Sequence, residues 1–138
     1  MTIDATKGSV DAGGQGIRLI RRLVAVNLGL VALQPISAGL SMSGYGGAVT
    51  VHGVVALALQ VGAAAQAVTA LVLWRQHRVP GWIAGFSVGL LVMMMLELAV
   101  GHSRRFWLHL PIGVGIFGWL TRQVARLRWF ESGIREPS

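Results

Sequence analysis

Four apolar runs, each about as long as a membrane-spanning helix, are the feature that most restricts how this chain can fold. The runs cover residues 23–42, 49–74, 82–101 and 108–125. A helix needs about 20 apolar residues to cross the hydrocarbon core of a bilayer. The fourth run reaches that length only if Arg122 extends its side chain along the helix to water. The sequence therefore predicts an all-α integral membrane protein, an up-down-up-down four-helix bundle.

The segments outside these runs are short, so the chain is expected to form one compact domain. Residues 1–16 are rich in glycine and polar residues, and their apolar content is too low for burial to order them. We predict a mobile cytoplasmic tail over 1–16, the transmembrane domain over 17–129 and a C-terminal cytoplasmic tail over 130–138. The first apolar run is longer than the apolar part of a signal peptide, so we expect it to be retained.

The basic residues predict an orientation in the membrane. The chain has 12 lysines and arginines against 5 acids. Nine of the 12 lie before the first run, between the second and third, or after the fourth. Arg122, near the end of the fourth run, extends to the same side and makes ten, and only Arg104 and Arg105 lie on the other side. Because cytoplasmic loops carry the excess of basic residues, we predict a multi-pass protein of a bacterial-type plasma membrane with both termini cytoplasmic. This clustering at helix ends argues against nucleic acid as a partner.

Two histidines are the candidate ligands of a cofactor. His52 and His109 lie near the starts of the second and fourth helices. These helices run in the same direction, so both imidazoles are expected at the same depth near the outer surface. Ala56 and Gly113 follow one turn later on the same faces. Such small residues are predicted to leave room for a large flat group beside the imidazoles.

Three further polar residues lie inside the apolar runs. Glu97 is the only carboxylate in a predicted span, and such a residue is costly in lipid unless it is paired or functional. Pairing with His102 or Arg105 is one explanation for it. Gln34 and Gln60 face the bundle interior in this prediction, whereas Asn27 is expected to hydrogen-bond between helices.

The two predicted hairpins resemble each other weakly, which suggests an internal repeat. Residues 34–39 precede His52 much as residues 97–101 precede His109. A parallel repeat about an axis along the membrane normal would place one imidazole on each side of that axis. This geometry suits a single metal ion clamped from opposite faces, as in a haem with two histidine ligands.

Residues 24–125 resemble the haem-binding halves of haem A synthase and other membrane b-type cytochromes. The likeness lies in the four-helix pattern and the His-x-Pro-x-Gly segment at His109. It implies that His52 and His109 are axial ligands of haem b in an electron-transfer or haem-binding protein. It also places Arg104 and Arg105 where haem propionates would emerge. The chain has half the helices of haem A synthase and no cysteine, so we expect haem binding only and assign no catalytic residue.

Other functions fit the same residues. His52, Glu97 and His109 suit a mononuclear metal ion or the head group of a quinone. A cofactor-free accessory subunit of a larger membrane complex is a further alternative. Gly81, Gly85 and Gly89 form a small-residue ridge that favours packing inside the bundle, although a homodimer contact would use it equally well. A quinone or a redox protein is the expected partner if a haem is bound.

The predicted orientation can be tested by cysteine labelling, because the chain has no cysteine of its own. Single cysteines replacing Ser43 and Ser132 are expected to react with an impermeant maleimide from outside and inside the cell, respectively. The reverse pattern would contradict the topology and the outward placement of the histidines.

Overall fold

A computed structural model describes residues 5–135, with side chains described for residues 14–132. It contains four helices, α1 (Ala5–Met42), α2 (Ala48–Arg75), α3 (Gly81–His102) and α4 (Phe106–Arg135). The prediction of an all-α four-helix bundle is confirmed.

Short loops connect the helices, and each begins with the same type of C-cap. Gly44, His77 and Arg104 follow the first three helices in left-handed conformation, with φ of 82°, 57° and 54°. In each case the N–H of the next residue bonds to a carbonyl five residues earlier, which is the Schellman arrangement. Glycine adopts this conformation without steric cost, so His77 and Arg104 each carry a strain that Gly44 avoids.

Both end helices extend further than their composition indicated. The segment 1–16 was expected to be a tail, but α1 begins at Ala5, and residues 1–4 lie outside the described part of the chain. The segment 130–138 was also expected to be a tail, but α4 continues to Arg135. A helix that is already anchored can propagate into polar sequence, because each added residue gains one backbone hydrogen bond.

Three helices are long and apolar enough to cross a membrane. They are the stretch Gly14–Met42 of α1, together with α2 and α3. We predicted a fourth span over 108–125, and α4 is long enough for it with 30 residues. However, the mean hydropathy of α4 is too low for a membrane span, because its glycines, His109 and Arg122 lower it. It packs alongside the apolar helices and completes the bundle.

The helices form a ring in which each contacts its neighbours in sequence and α4 closes against α1. The backbones of the diagonal pairs, α1 with α3 and α2 with α4, come within 8 Å nowhere along the described residues. We call the end with His52 and His109 the histidine end, and the end with the loop between α2 and α3 the arginine end. At the arginine end, Arg21 binds Glu131 at 2.5 Å and joins α1 to α4.

Four buried polar side chains, one from each helix, meet inside the bundle. Asn27 donates to the Gln66 Oε1 atom at 2.9 Å, and Gln66 donates to Gln123 Oε1 at 3.1 Å and to Ser87 Oγ at 3.2 Å. All four are at most 1% exposed. We call Asn27, Gln66, Ser87 and Gln123 the polar tetrad. Only the role of Asn27 in it was predicted from the sequence.

The two hairpins are related by an internal repeat. Positions on α2 match positions on α4 that are 57 residues later, so that Gln66 corresponds to Gln123 and His52 to His109. The buried apolar residues follow the same rule: Leu59 with Ile116, Ala63 with Leu120, and Ala70 with Leu127. On α1 and α3 the offset is 60 residues, and Asn27 corresponds to Ser87. The pattern of burial supports the predicted parallel repeat.

The glycine ridge of α3 is used mainly inside the bundle. A Cβ atom on Gly89 would come within 2.8 Å of the Trp119 indole, and one on Gly81 within 3.0 Å of Trp74. Trp119 also donates to the carbonyl of Phe86 at 3.0 Å, which joins α4 to α3. Gly85 has no such neighbour. Two of the three glycines therefore make room for tryptophans.

Gly62 allows Asn27 to reach Gln66, because a Cβ atom at Gly62 would overlap the Asn27 Oδ1 atom. We expect Gly62→Ala to lower the free energy of unfolding by about 1–3 kcal/mol through overpacking. Gly29→Ala is the control, since no atom lies within 4 Å of its added Cβ. Denaturant titration in detergent measures both. Equal stability of the two variants would contradict the packing at Gly62.

Candidate functional site

The two predicted histidine ligands meet at the histidine end. The ring centroids of His52 and His109 are 6.2 Å apart, and the ring planes make an angle of 68°. The rings come from the diagonal helices α2 and α4, so they extend toward each other across the bundle. Both are partly buried. The prediction that they lie at one depth is thus consistent with the fold.

Glu97 reaches His109 from the neighbouring helix α3. Its Oε1 atom lies 3.0 Å from the His109 Nδ1 atom, and the carboxylate is 16% exposed. The two groups are close but poorly aligned for a hydrogen bond. Pairing with His102 or Arg105 was one prediction for Glu97, and the structure does not bear it out. Its neighbour is His109, with which the sequence had grouped it in the alternative metal or quinone site. His102 is exposed and its Nδ1 atom bonds to the carbonyl of Leu98 instead.

Glycines surround this contact. A Cβ atom on Gly113 would lie 3.1 Å from Glu97 Oε1, and one on Gly101 would lie 3.1 Å from the His109 ring. We expected the space at Gly113 to admit a large flat group. In the structure the carboxylate of Glu97 occupies it, so this glycine makes room for the partner of the imidazole.

His52 has a corresponding partner on α1. Its Nδ1 atom lies 3.2 Å from the Ser37 hydroxyl, and that hydroxyl also lies 3.1 Å from the carbonyl of Leu33 and 3.0 Å from that of Gln34. A hydroxyl has one proton to donate. When the carbonyls take it, the oxygen accepts the N–H of His52. Ser37 therefore corresponds to Glu97 in the repeat, at the 60-residue offset, whereas the sequence had suggested Gln34.

The Nδ1 atom of each imidazole thus lies near an oxygen of a neighbouring helix, 3.2 Å from the Ser37 hydroxyl for His52 and 3.0 Å from the Glu97 carboxylate for His109. No hydrogen bond within the described residues involves either Nε2 atom. Metal-binding histidines are commonly held in this way, with the second nitrogen bonded to a carboxylate, carbonyl or water. Two imidazoles on one metal ion, each bonded at about 2 Å, have ring centres roughly 6 Å apart. The observed 6.2 Å agrees with that spacing. Each ring can turn about its metal bond, so the 68° angle is compatible with it.

The two predicted glutamines flank this pair. Gln34 donates weakly to the carbonyl of His52 at 3.5 Å, and Gln60 donates to the carbonyl of Met94 at 2.6 Å. The side-chain oxygens of both are buried without a hydrogen-bond partner, and so is Oε2 of Glu97. Buried acceptors without donors are unusual and call for an explanation, such as bound water or a ligand. Ala56 is partly buried one turn from His52.

The remaining candidates lie apart from the pair. Arg104 and Arg105 are exposed in the loop before α4. Their backbone groups form the hydrogen bonds that end α3 and begin α4. His77 is exposed at the opposite end of the bundle. Within the described residues, no three histidine, cysteine or acidic side chains form a metal-binding group.

Sequence reasoning missed Ser37 and most of the polar tetrad. The signal for the tetrad lies in a spacing: Gln66 follows His52 by 14 residues, and Gln123 follows His109 by 14 residues. Fourteen residues are nearly four helical turns, so each glutamine shares a face with its histidine. Ser37 could not be chosen in the same way, because serine is common in membrane helices and its hydroxyl often bonds only to its own backbone.

Comparison of the chain with protein-family models, with curated proteins and with solved structures finds no match. The residues at the histidine end are therefore the basis for assigning a function.

Since a carboxylate and a serine oxygen face the Nδ1 atoms, we expect the neutral form of each imidazole to carry its proton on Nδ1. Nitrogen-15 NMR of histidine-labelled protein at pH 8 distinguishes the tautomers. Substitutions Glu97→Leu and Ser37→Ala should each shift only the tautomer of the histidine they contact. Protonated Nε2 atoms in the unsubstituted protein would contradict this assignment.

Proposed function

We propose that this protein is a membrane b-type haem protein in which His52 and His109 are the two axial ligands. The observation that supports the proposal is the pair of imidazoles from diagonal helices whose ring centroids lie 6.2 Å apart, each with its Nδ1 atom near an oxygen of a neighbouring helix. A haem bound by two histidines has no open iron position, which favours one-electron transfer or haem storage over oxygen chemistry.

The protein residues have distinct tasks in this proposal. Ser37 and Glu97 lie beside the Nδ1 atoms and orient the two rings, so that the Nε2 lone pairs point away from Ser37 and Glu97. Gly101 and Gly113 provide the space in which the His109 ring and Glu97 lie. Arg104 and Arg105, exposed beside the start of α4, are proposed to bind the haem propionates, because arginine pairs with carboxylates in a bidentate manner.

The proposal includes an orientation. Arginines concentrate at the arginine end, namely Arg18, Arg21, Arg22, Arg75, Arg78, Arg126 and Arg128. The positive-inside rule assigns such an end to the cytoplasm. The histidine end then faces the outside of a bacterial-type plasma membrane, and electrons would be exchanged there with a quinone or an external redox protein.

A reduced-minus-oxidised absorption spectrum of protein expressed with added haem precursor tests this function. We expect sharp low-spin bands that are lost in His52→Ala and in His109→Ala, because each variant removes one iron ligand. His77→Ala and His102→Ala are matched controls, since both histidines are exposed and distant from the pair or bonded elsewhere. Circular dichroism checks that each variant keeps its helices.

Three results would overturn the proposal. Protein that remains colourless after haem titration would favour the cofactor-free accessory subunit, in a homodimer or a larger membrane complex. A metal found by elemental analysis without haem bands, and lost in Glu97→Gln, would favour the mononuclear metal site of His52, Glu97 and His109. A quinone that protects the colourless protein against unfolding would favour a quinone site.

A further inference from the structure

A surface cleft lies at the arginine end, far from the histidine pair. It consists of two adjoining depressions of about 340 Å³ each, and Trp74 and His77 line both. Leu71 and Arg75 complete the first, and Arg78 with residues 79–81 completes the second. We call this the loop cleft, because it surrounds the connection between α2 and α3.

The loop cleft is apolar on one side and cationic on the other. Leu71 and Trp74 provide its apolar wall on the side of the transmembrane helix α2. Arg75, His77 and Arg78 are all exposed and lie at or beyond the end of that helix. This order, apolar toward the bilayer and cationic toward water, matches the order of groups in a phospholipid.

Within residues 14–132, the carboxylate near the arginine end is that of Glu131, and it is already bound to Arg21. The salt bridges of the described residues do not include Arg75 or Arg78. Two arginines three residues apart at the mouth of a cleft are suited to a phosphate group, which arginine binds through charge-assisted hydrogen bonds. An anionic ligand would also be attracted by the surrounding arginines.

His77 supplies a separate observation. It has φ of 57° and occupies the C-cap position that Gly44 occupies in the first loop. Glycine would fit this left-handed position without strain, so the imidazole is kept there at a conformational cost. His77 lines both depressions, as Trp74 does, so the residue that carries the strain is one of the two that the parts of the cleft share.

We propose that the loop cleft binds the headgroup of an anionic phospholipid, with Arg75, His77 and Arg78 around the phosphate and Trp74 beside the glycerol region. The position supports a lipid as the occupant. The cleft lies between two helices that are apolar enough to cross a membrane, and tryptophans such as Trp74 and Trp82 are typical of the membrane–water interface.

Native mass spectrometry of the full chain, released from nanodiscs of phosphatidylcholine with phosphatidylglycerol, tests the proposal. We expect retention of phosphatidylglycerol in preference to phosphatidylcholine. The double variant Arg75→Gln/Arg78→Gln should weaken this retention by roughly tenfold or more. The control Arg18→Gln/Arg128→Gln removes the same charge at the same end from exposed residues that do not line the cleft, and should retain the lipid.

A second variant separates binding from folding. His77→Gly relieves the left-handed strain, so we expect a higher Tm together with weaker lipid retention. Equal losses in the two double variants would show a diffuse attraction and overturn the site. Equal retention of both lipids would overturn the preference for an anionic headgroup. Displacement of the lipid by millimolar inorganic phosphate would overturn the lipid in favour of a free phosphate.

Discussion

The hydrogen bonds among Asn27, Gln66, Ser87 and Gln123 are the interaction on which the rest of this structure depends. In a membrane, apolar side chains are as well solvated by lipid as by each other, so they hold helices together without fixing how the helices slide or turn. An amide buried among four helices has few alternatives once it leaves its partners. Because the tetrad takes one residue from each helix, it fixes the relative heights of all four.

The polar tetrad also determines the geometry of the histidine pair. On both α2 and α4 the histidine lies 14 residues from the tetrad glutamine, which corresponds to about 21 Å of helix. When the glutamines meet, the histidines are necessarily level. The partners on α1 and α3 follow in the same way, since Ser37 and Glu97 each lie 10 residues after the tetrad residue of their helix. Within each diagonal pair of helices, the two polar layers are thus separated by the same number of residues.

Much of this architecture was predictable from the sequence, and the part that was not has physical reasons. The four helices follow from apolar runs, and the pairing of His52 with His109 follows from helices that run in the same direction. The sequence grouped Glu97 with His109 only in the alternative metal or quinone site. It could not choose between that neighbour and His102 or Arg105, because only the packing of α3 on α4 brings His109 nearer. The apolar character of α4 was also overestimated. Its length suffices, but its glycines and Arg122 are tolerated because three more apolar helices are present.

Ser37 and Glu97 occupy corresponding positions of the two hairpins but differ in chemistry, and this difference bears on what the histidine end does. Ser37 shows that a hydroxyl is enough to hold an imidazole at this depth. A carboxylate at the corresponding position of α3 costs far more inside a membrane span. Orientation alone therefore does not account for Glu97. What the carboxyl group adds when it is ionised is negative charge beside one ring, and such a partner increases the basicity of a metal-binding imidazole. In the proposed haem site the two ligands are consequently different donors, and the stronger one is His109.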